Sequence, residues 1–337
     1  METHIELGEN SYSVIVERGS INSFASLTGI KGKVLIVTDS GVPCEYSEKI
    51  ASQFDEACIY TVEQGEKSKS LENFGKILSF MLEKGFTRKD CVIACGGGVV
   101  GDLAGFVSAC YMRGIDFYNF PTTVLSQIDS SVGGKTAVNL DGIKNPVGAF
   151  YQPEMVIIDP AVLKTLPERH FFSGLAEAVK MSLTCDADLF ELFENGDIIS
   201  DIDEIVFRSI EIKRKIVEQD ERESGLRRVL NFGHTLGHGI ESSGKLNGLY
   251  HGECIAPGMT AMCSTDVRER LVTVLKKLNL KTKLSFDENA VMSAVIHDKK
   301  TNDGIINTVF VDKIGSFEMR KMTADELRKR LLIIREG

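Results

Sequence analysis

Hydrophobic and polar positions follow a strand-and-helix pattern through the first half of the chain. Short apolar runs such as "KVLIVTDSG" (33–41) and "CVIACGGG" (91–98) alternate with amphipathic segments such as "LENFGKILSFMLEKG" (71–85). The short runs predict buried strands, and the longer segment predicts an α-helix that ends at glycine. Strands that alternate with helices indicate βαβ units and a mostly parallel sheet. We therefore predict an α/β, Rossmann-like domain over residues 1–167.

The pattern changes at about residue 168. Segments 169–183, 203–219, 252–263 and 324–334 carry apolar residues at helical spacing with few strand signals. Thr323 and Glu326 form a capping box before the last of these segments. Three of the seven prolines fall in "YQPEMVIIDPAVLKTLP" (151–167), which we interpret as the joint. We predict a mainly α-helical C-terminal domain over residues 168–337.

Composition and charge narrow the classes of function. A hydrophobic fraction of 43% with 26% charged residues is typical of a globular protein. The net charge of −9 argues against a nucleic-acid partner, because such binding needs clustered Lys and Arg. Apolar runs stay below the roughly 20 residues of a membrane span, and "METHIELGEN" lacks the features of a signal peptide. We therefore expect a cytoplasmic protein with no membrane partner, whose eight cysteines are buried free thiols.

The glycine-rich segment "CGGGVVGDLAGF" (95–106) directly follows a predicted strand and precedes a predicted helix. Glycine lets the backbone approach a pyrophosphate closely, and a helix N-terminus offers free N–H groups and a positive dipole end. The alternative is a tight glycine turn with no ligand. The strand-turn-helix context favours dinucleotide binding.

A second glycine-rich segment, "PTTVLSQIDSSVGGKTAVNLDGIKNPVGAF" (121–150), is dense in hydroxyl groups and contains Lys135 and Lys144. This mixture suits a phosphate or a hydroxyl-rich ligand, because lysine supplies a point charge and a loop supplies N–H donors. It is not a Walker P-loop, since the GxxxxGK[ST] spacing is absent. A solvated loop with surface lysines is the alternative. That alternative does not explain why thirty consecutive residues are mostly small polar and apolar groups with so few acidic side chains.

Three of the six histidines, His234, His238 and His251, fall within eighteen residues. With Glu177 they are candidate metal ligands, and three protein ligands with an open position are typical of catalytic zinc. The i, i+4 spacing of His234 and His238 places both on one helix face, which nominates them as a pair. The residues alone do not choose the third ligand. Glu177 and Lys180, at i, i+3, are equally consistent with an ordinary helix ion pair.

Taken together, these segments resemble the 3-dehydroquinate synthase family of sugar-phosphate cyclases. The resemblance rests on "GGGVVGDLAGF", "YMRGIDF", "FPTTVLSQIDSSVGGKTAVN", "KNPVGAFYQP", "GLAEAVK", "GLRRVLNFGHTLGH", "HGE" and "DKK". These motifs are long and therefore specific, and they extend from about residue 33 to beyond residue 300.

The resemblance implies an NAD- and metal-dependent lyase of the shikimate pathway, which leads to chorismate and aromatic amino acids. The substrate would be a sugar-acid phosphate, 3-deoxy-D-arabino-heptulosonate 7-phosphate, and the products 3-dehydroquinate and phosphate. The implied cofactors are NAD and one divalent metal, zinc or cobalt. The implied assembly is a homodimer.

The resemblance also implies a role for individual residues. It assigns the metal to Glu177, His234 and His251, and it moves His238 to substrate binding and proton transfer. Arg113 matches an arginine that reaches the phosphate in the neighbouring subunit. The other positions that match substrate contacts are Lys135, Asn145, Lys180, Lys213, Arg227, Asn231 and Lys299. The positions that match NAD contacts are Asp39, Glu66, Lys69, Gly97, Gly98, Asp102, Thr122, Thr123, Asp129, Lys135, Lys144 and Thr165.

With Asn231 three residues before His234, we expect one short helix to carry a metal ligand and two substrate groups. Two departures from the family pattern are Pro146 and Pro257, and we expect Pro257 to distort the helix after the metal ligand.

Three other functions compete with the synthase. They are a sister cyclase acting on another sugar phosphate such as sedoheptulose 7-phosphate, a metal-dependent polyol dehydrogenase, and an NAD-binding regulatory protein.

Overall fold

A computed structural model describes residues 1–243, 248–298 and 305–336 of the chain. The chain divides into two compact units. The first comprises Met1–Leu166 with Lys213–Arg222, and the second comprises Pro167–Ile212 with Glu223–Gly337. The segment 213–222 therefore belongs to the first unit although it lies far beyond residue 167 in the chain.

The first unit is built on a seven-stranded sheet. Its strands are β1 (Glu2–Ile5), β2 (Tyr12–Val16), β3 (Val34–Asp39), β4 (Ala57–Val62), β5 (Cys91–Gly96), β6 (Asp116–Pro121) and β9 (Met155–Ile158), with β7 (Lys135–Leu140) and β8 (Ile143–Phe150) outside it. The sheet order is β1-β2-β9-β6-β5-β3-β4. Every neighbouring pair is parallel except β1 with β2. The α/β, mostly parallel character predicted from the sequence is confirmed.

Helices cover both faces of this sheet. They are α1 (Phe24–Thr28), α2 (Cys44–Ala51), α3 (Leu71–Glu83) and α4 (Gly98–Cys110). Alternate residues of β3 point to opposite sides: Leu35 lies in the hydrophobic cluster with residues of α3 and α4, and Ile36 lies in the cluster with residues of α1 and α2. A strand buried on both faces reads as a continuous apolar run, which is why "KVLIVTDSG" shows no polar alternation.

Two segments of the first unit contain elements that the sequence pattern did not predict. The segment 121–150 is not a loop, because it forms a π-helix at Ser126–Ser130 and the antiparallel hairpin β7–β8. Pro146 lies in β8, and within the described part of the chain β8 pairs with β7 alone, so the missing N–H of Pro146 breaks no second ladder there. The predicted joint, 151–167, contributes β9, which lies between β2 and β6 inside the sheet.

The second unit is mainly helical, as predicted. Its helices are α5 (Glu168–Cys185), α6 (Ala187–Asn195), the first part of α7 (Ile202–Gln219), α8 (His234–Ser242), α9 (His251–Ala261), α10 (Thr265–Lys277), α11 (Glu288–Asp298) and α12 (Ala324–Leu331). The capping box of Thr323 with Glu326 is present at the start of α12. Pro257 lies inside α9, and the helix continues past it to Ala261.

The sequence patterns missed the antiparallel hairpin of β10 (Ile305–Phe310) and β11 (Glu318–Thr323). The cysteines are free as expected, but only part of them are buried. Cys91, Cys95, Cys254 and Cys263 are buried, whereas Cys44 and Cys110 are exposed. None of the helices in the described part of the chain is long and apolar enough to cross a membrane.

Candidate active site

Three helices of the second unit bring the candidate metal ligands together. Glu177 lies on α5, His234 and His238 on α8, and His251 begins α9. Glycines allow this close approach: a Cβ on Gly252 of α9 would lie 1.9 Å from the carbonyl oxygen of Ser173 on α5. A Cβ on Gly258 would lie 2.2 Å from the carbonyl oxygen of Gly233, directly before α8. The glycines of "NFGHTLGH" and "HGE" therefore serve helix packing.

One oxygen of Glu177 faces two of the histidines. Glu177 Oε1 lies 3.5 Å from His234 Nε2 and 3.4 Å from His251 Nε2. This oxygen is buried, and it accepts no hydrogen bond from any residue that the structure describes. A buried acceptor without a donor is costly, and a divalent cation at this point would satisfy it. The donor set of one carboxylate and two imidazoles is one that zinc prefers, so the residues fit a metal ion.

The Nδ1 atoms of both histidines are held by acceptors. His234 Nδ1 lies 3.0 Å from the carbonyl oxygen of Phe232, and His251 Nδ1 lies 3.2 Å from Glu241 Oε2. Because a carbonyl or carboxylate oxygen can only accept, Nδ1 carries the proton in each hydrogen bond. In the neutral form of each ring, Nε2 then carries the lone pair that a metal ligand requires.

The charges around Glu177 favour its ionised form. Burial acts to raise the pKa of Glu177, but Lys180, His234 and His251 outweigh it and hold that pKa well below its usual range. Burial and the Lys180 ammonium lower the pKa of His234, so its imidazole stays neutral. Burial also acts to lower the pKa of His251, but Glu177 and Glu241 outweigh it and raise that pKa to about 9. A cation bound at Nε2 would replace the proton there.

His238 lies in the same cluster. Its ring centroid is 4.9 Å from that of His234 and 5.8 Å from that of His251. The ligand atoms of the three histidines all lie within 4.8 Å of one another. Distances alone therefore leave two ligand sets open: three histidines, or Glu177 with His234 and His251.

Lys180 is buried beside Glu177 rather than exposed. Its ammonium donates a hydrogen bond to Glu177 Oε2, and both side chains are only 2% exposed. The pair is therefore an i, i+3 helix ion pair, as the spacing predicted, and it is buried. Two opposite charges this deeply buried must pair with each other to offset the loss of hydration.

The expectation that Asn231 and His234 share one helix is wrong. Asn231 ends a short 3-10 helix, Leu226–Asn231, and α8 begins only at His234. Gly233 between them has φ of +76°, a left-handed conformation that ends the helical path. Asn231 Nδ2 donates to Glu223 Oε1 at 2.9 Å. Arg227, in the same 3-10 helix, is buried.

In the first unit, the positions that match NAD contacts follow the carboxyl ends of parallel strands. Asp39 ends β3. The other matched positions follow later strands: Glu66 and Lys69 follow β4; Gly97, Gly98 and Asp102 follow β5; Thr122, Thr123 and Asp129 follow β6; and Thr165 follows β9. Parallel strands have their carboxyl ends at one edge, where open α/β sheets bind ligands. The sheet therefore brings segments far apart in sequence to one edge.

The glycine turn after β5 has the shape of an anion cradle. Gly97 precedes α4 with no side chain capping the helix N-terminus. A Cβ on Gly97 would lie 3.1 Å from Thr123 Cγ2, and one on Gly98 would lie 3.1 Å from Ser130 Oγ. The N–H groups and dipole of α4 suit a phosphate group at this turn. The residues therefore fit a dinucleotide.

Two buried lysines lie near this edge. Lys69 Nζ donates to Asp102 Oδ2 at 2.5 Å, and Lys213 Nζ donates to Asp129 Oδ1 at 2.8 Å. Burial raises the pKa of Asp102, and the Lys69 ammonium opposes that rise. Burial likewise raises the pKa of Asp39, although the N–H of Gly41 donates to its carboxylate at 2.8 Å.

The remaining matched positions are exposed or lie outside the described residues. Lys135, Lys144 and Asn145 are exposed on the β7–β8 hairpin. Arg113 is exposed on a turn in which Met112 and Arg113 have φ of 47° and 72°. Lys299 lies outside the described residues.

Sequence reasoning missed three residues that hold site residues in place. Glu241 binds His251, Tyr46 Oη lies 2.9 Å from Thr165 Oγ1, and Asn139 Nδ2 donates to Glu66 Oε1 at 2.8 Å. Their partners lie 10, 119 and 73 residues away along the chain, so no local pattern could pair them.

Comparison with known proteins places the chain in a family. Residues 59–173 match the family model described as 3-dehydroquinate synthase N-terminal, and residues 174–301 match 3-dehydroquinate synthase C-terminal. The chain belongs to the 3-dehydroquinate synthase family. The 3-dehydroquinate synthase of Lactococcus lactis subsp. cremoris is 38% identical over 98% of this chain and 99% of its own length. That of Streptococcus thermophilus is 37% identical over the same shares.

Solved structures share the fold of this 3-dehydroquinate synthase family member. A 2-deoxy-scyllo-inosose synthase, complexed with carbaglucose-6-phosphate, NAD+ and Co2+, superposes with a TM-score of 0.90 at 23% identity, over 100% of both chains. The 2-epi-5-epi-valiolone synthase of Streptomyces hygroscopicus, with NAD+ and Zn2+ bound, gives 0.88 at 26% identity over 98% of both chains. A probable glycerol dehydrogenase from Sinorhizobium meliloti gives 0.64 at 16% identity over 95% of this chain and 96% of that one.

Proposed function

We propose that this protein converts 3-deoxy-D-arabino-heptulosonate 7-phosphate to 3-dehydroquinate and inorganic phosphate. The reaction oxidises C5 of the substrate with NAD, eliminates phosphate, returns the hydride from NADH, opens the ring and closes the carbocycle by an intramolecular aldol step. The observation that carries the proposal is the buried Glu177 oxygen between His234 and His251, in a chain of this family.

Glu177, His234 and His251 are the proposed ligands of one zinc or cobalt ion. Such an ion lowers the pKa of a bound substrate hydroxyl and so favours hydride loss from its carbon. Glu177 supplies the only anionic oxygen of the set and is ionised across the neutral pH range, because its pKa is held low. Of the two open ligand sets, we favour the one with Glu177, because a ligand role satisfies its buried oxygen.

His238 is the proposed proton-transfer residue. An imidazole can accept and return a proton near neutral pH, and its ring lies beside the proposed ligands. Lys180 supports the Glu177 carboxylate, and it is also proposed as a substrate contact. Arg227 and Asn231, on one short 3-10 helix, are proposed to bind the substrate carboxylate, because a guanidinium and an amide donate to it without transferring a proton.

NAD is proposed to lie at the carboxyl edge of the parallel sheet, with its pyrophosphate at the Gly97–Gly98 turn. Asp39, Glu66, Lys69, Asp102, Thr122, Thr123, Asp129, Lys144 and Thr165 are the other proposed contacts. Lys135, Asn145, Lys213 and Lys299 are proposed for the substrate. NAD is regenerated in each turnover, so it acts as a catalyst rather than a consumed substrate.

A cytoplasmic homodimer is the proposed state of the protein. Arg113 is presented on an exposed turn with unusual backbone conformation, and backbone strain of this kind clusters at functional positions. We propose that Arg113 reaches the substrate phosphate in the neighbouring subunit. A monomer mass from sedimentation at working enzyme concentration would contradict this assembly.

Substrate choice separates the proposed function from a sister cyclase. The metal-loaded protein with NAD is incubated in parallel with heptulosonate phosphate and with sedoheptulose 7-phosphate, and phosphate release is measured. We expect release only from the acid, because Arg227 and Asn231 need a carboxylate partner. Faster release from sedoheptulose 7-phosphate would assign the protein to the sister cyclases instead.

A further inference from the structure

His251 lies between two carboxylates, one at each ring nitrogen. Nε2 faces Glu177 Oε1 at 3.4 Å, and Nδ1 faces Glu241 Oε2 at 3.2 Å. The family resemblance gives Glu177 a role as a ligand and gives none to Glu241. The Glu241 side chain is 21% exposed, so its contact with the imidazole is partly shielded from water.

The position of Glu241 on α8 explains how it reaches His251. Glu241 follows His238 by three residues and His234 by seven. At 3.6 residues per turn, a residue seven positions later returns to within roughly 20° of the same direction. One face of α8 therefore presents His234, His238 and Glu241 in register, and Glu241 on this face contacts His251, the first helical residue of α9.

The two proposed histidine ligands are oriented by different kinds of partner. His234 uses the carbonyl of Phe232, two residues away on its own backbone. His251 uses a carboxylate from another helix. A carboxylate partner at Nδ1 makes Nε2 more basic, and therefore a stronger metal ligand, than a carbonyl partner does. The backbone just before His251 is held separately, because Tyr250 N donates to Glu253 Oε2 at 2.8 Å, but this bond does not fix the rotation of the His251 ring.

We propose that Glu241 is a positioning residue for the metal site: it holds His251 with Nδ1 protonated and Nε2 directed at the metal. It does not touch the metal or the substrate. This inference rests on the proposed function, because it requires a divalent cation at the site. Its removal lowers metal affinity by about 10- to 100-fold, the range measured for such outer partners of metal ligands.

The test measures metal binding rather than turnover. Metal-free wild-type protein and the variants Glu241→Gln, Glu241→Ala and Glu269→Gln are titrated with Co2+ against a competing chelator, and the visible absorption of bound Co2+ is recorded. Glu269, an exposed acid of α10 outside the metal group, is the matched control for loss of one negative charge. Thermal unfolding of each metal-free variant measures its folding separately.

We expect Glu241→Ala to raise the Kd for Co2+ by about 10- to 100-fold. The Kd of Glu241→Gln should lie between those of wild type and Glu241→Ala, because the amide oxygen of glutamine still accepts a hydrogen bond from Nδ1 but carries no charge. The Co2+ spectrum should change in both, and Glu269→Gln should match wild type. A Kd within about twofold of wild type in both Glu241 variants would overturn the proposal. If Glu241→Ala does not fold, the Kd of Glu241→Gln alone decides the test. Wild type that fails to bind Co2+ would overturn the proposed function as well.

Discussion

At the scale of single residues, the four candidate ligands differ in what surrounds them. Glu177 is buried and paired with Lys180, and His234 and His251 each have Nδ1 bound to an acceptor. His238 shares the cluster, and its ring centroid lies 4.9 Å from that of His234. The local environment therefore favours a division of labour among three histidines that the sequence presents together.

Replacing single histidines tests this division. We expect His251→Ala to lower metal affinity by more than about 100-fold, because it removes a ligand rather than an outer partner. His238→Ala should keep nearly all of the metal and lose proton transfer, so kcat should fall by about 100-fold or more. Metal content after dialysis and single-turnover rates measure the two effects.

His4→Ala is the control, because His4 lies on β1 with its side chain 49% exposed. Its metal content and rate should equal those of wild type. Equal loss of metal in the His238 and His251 variants would show that the ion is held by the three histidines together.

The candidate site residues could be named from the sequence, but their burial could not. Lys180, Lys213 and Arg227 look like surface residues in a helical pattern, yet all three are buried. Burial depends on which elements cover them, and that is decided by residues far away in the chain. Glu241 illustrates the same limit, because its partner is set by the approach of two helices.

At the scale of elements, the candidate metal cluster depends on how closely α5, α8 and α9 approach. Gly252 is the sharpest point of contact, since its missing side chain accommodates the backbone of α5. Gly252 N also donates to Ser173 Oγ at 3.2 Å, beside the first turn that carries His251. The position of His251 relative to Glu177 is therefore fixed by a helix contact.

Adding one methyl group at Gly252 tests this contact. In Gly252→Ala, the new Cβ would lie 1.9 Å from the carbonyl oxygen of Ser173, so α9 must shift. We expect a loss of about 1–3 kcal/mol in the free energy of unfolding, as for other overpacked sites. Metal affinity should also fall, because His251 moves with the helix. Chemical denaturation and Co2+ titration measure the two effects.

Gly75→Ala is the matched control. Gly75 lies inside α3, and a Cβ there would have no atom within 4 Å. Alanine at this helix position should stabilise the protein by about 0.5–1 kcal/mol and leave metal binding unchanged. Unchanged stability and metal affinity in Gly252→Ala would contradict the role given to this contact.

Long periodic elements followed from the sequence, whereas short or polar ones did not. The helix α3 and the strands β3 and β5 carry clear apolar spacing over their whole length. The hairpin β10–β11 escaped prediction because β11, "EMRKMT", has a single buried residue and no alternation. In β7–β8, exposed residues of β8 gave the segment the composition of a loop.

At the scale of the whole molecule, the fold alone does not decide the reaction. Cyclases and a probable glycerol dehydrogenase share it, although they act on different compounds. The chain has a net charge of −9, yet lysines and an arginine are concentrated at the candidate sites. These cations suit a substrate with both a carboxylate and a phosphate. The net charge of the chain does not show where in the fold these lysines and this arginine lie.

Each hydride that NAD takes from the substrate should be returned within the same turnover. The metal-loaded protein is incubated with heptulosonate phosphate and an amount of NAD far below that of substrate. Phosphate, dehydroquinate and NADH absorbance are then followed together. We predict equal amounts of phosphate and dehydroquinate, both many times the amount of NAD, with no build-up of NADH. NADH that accumulates in proportion to substrate consumed, without phosphate release, would identify a dehydrogenase and contradict the account.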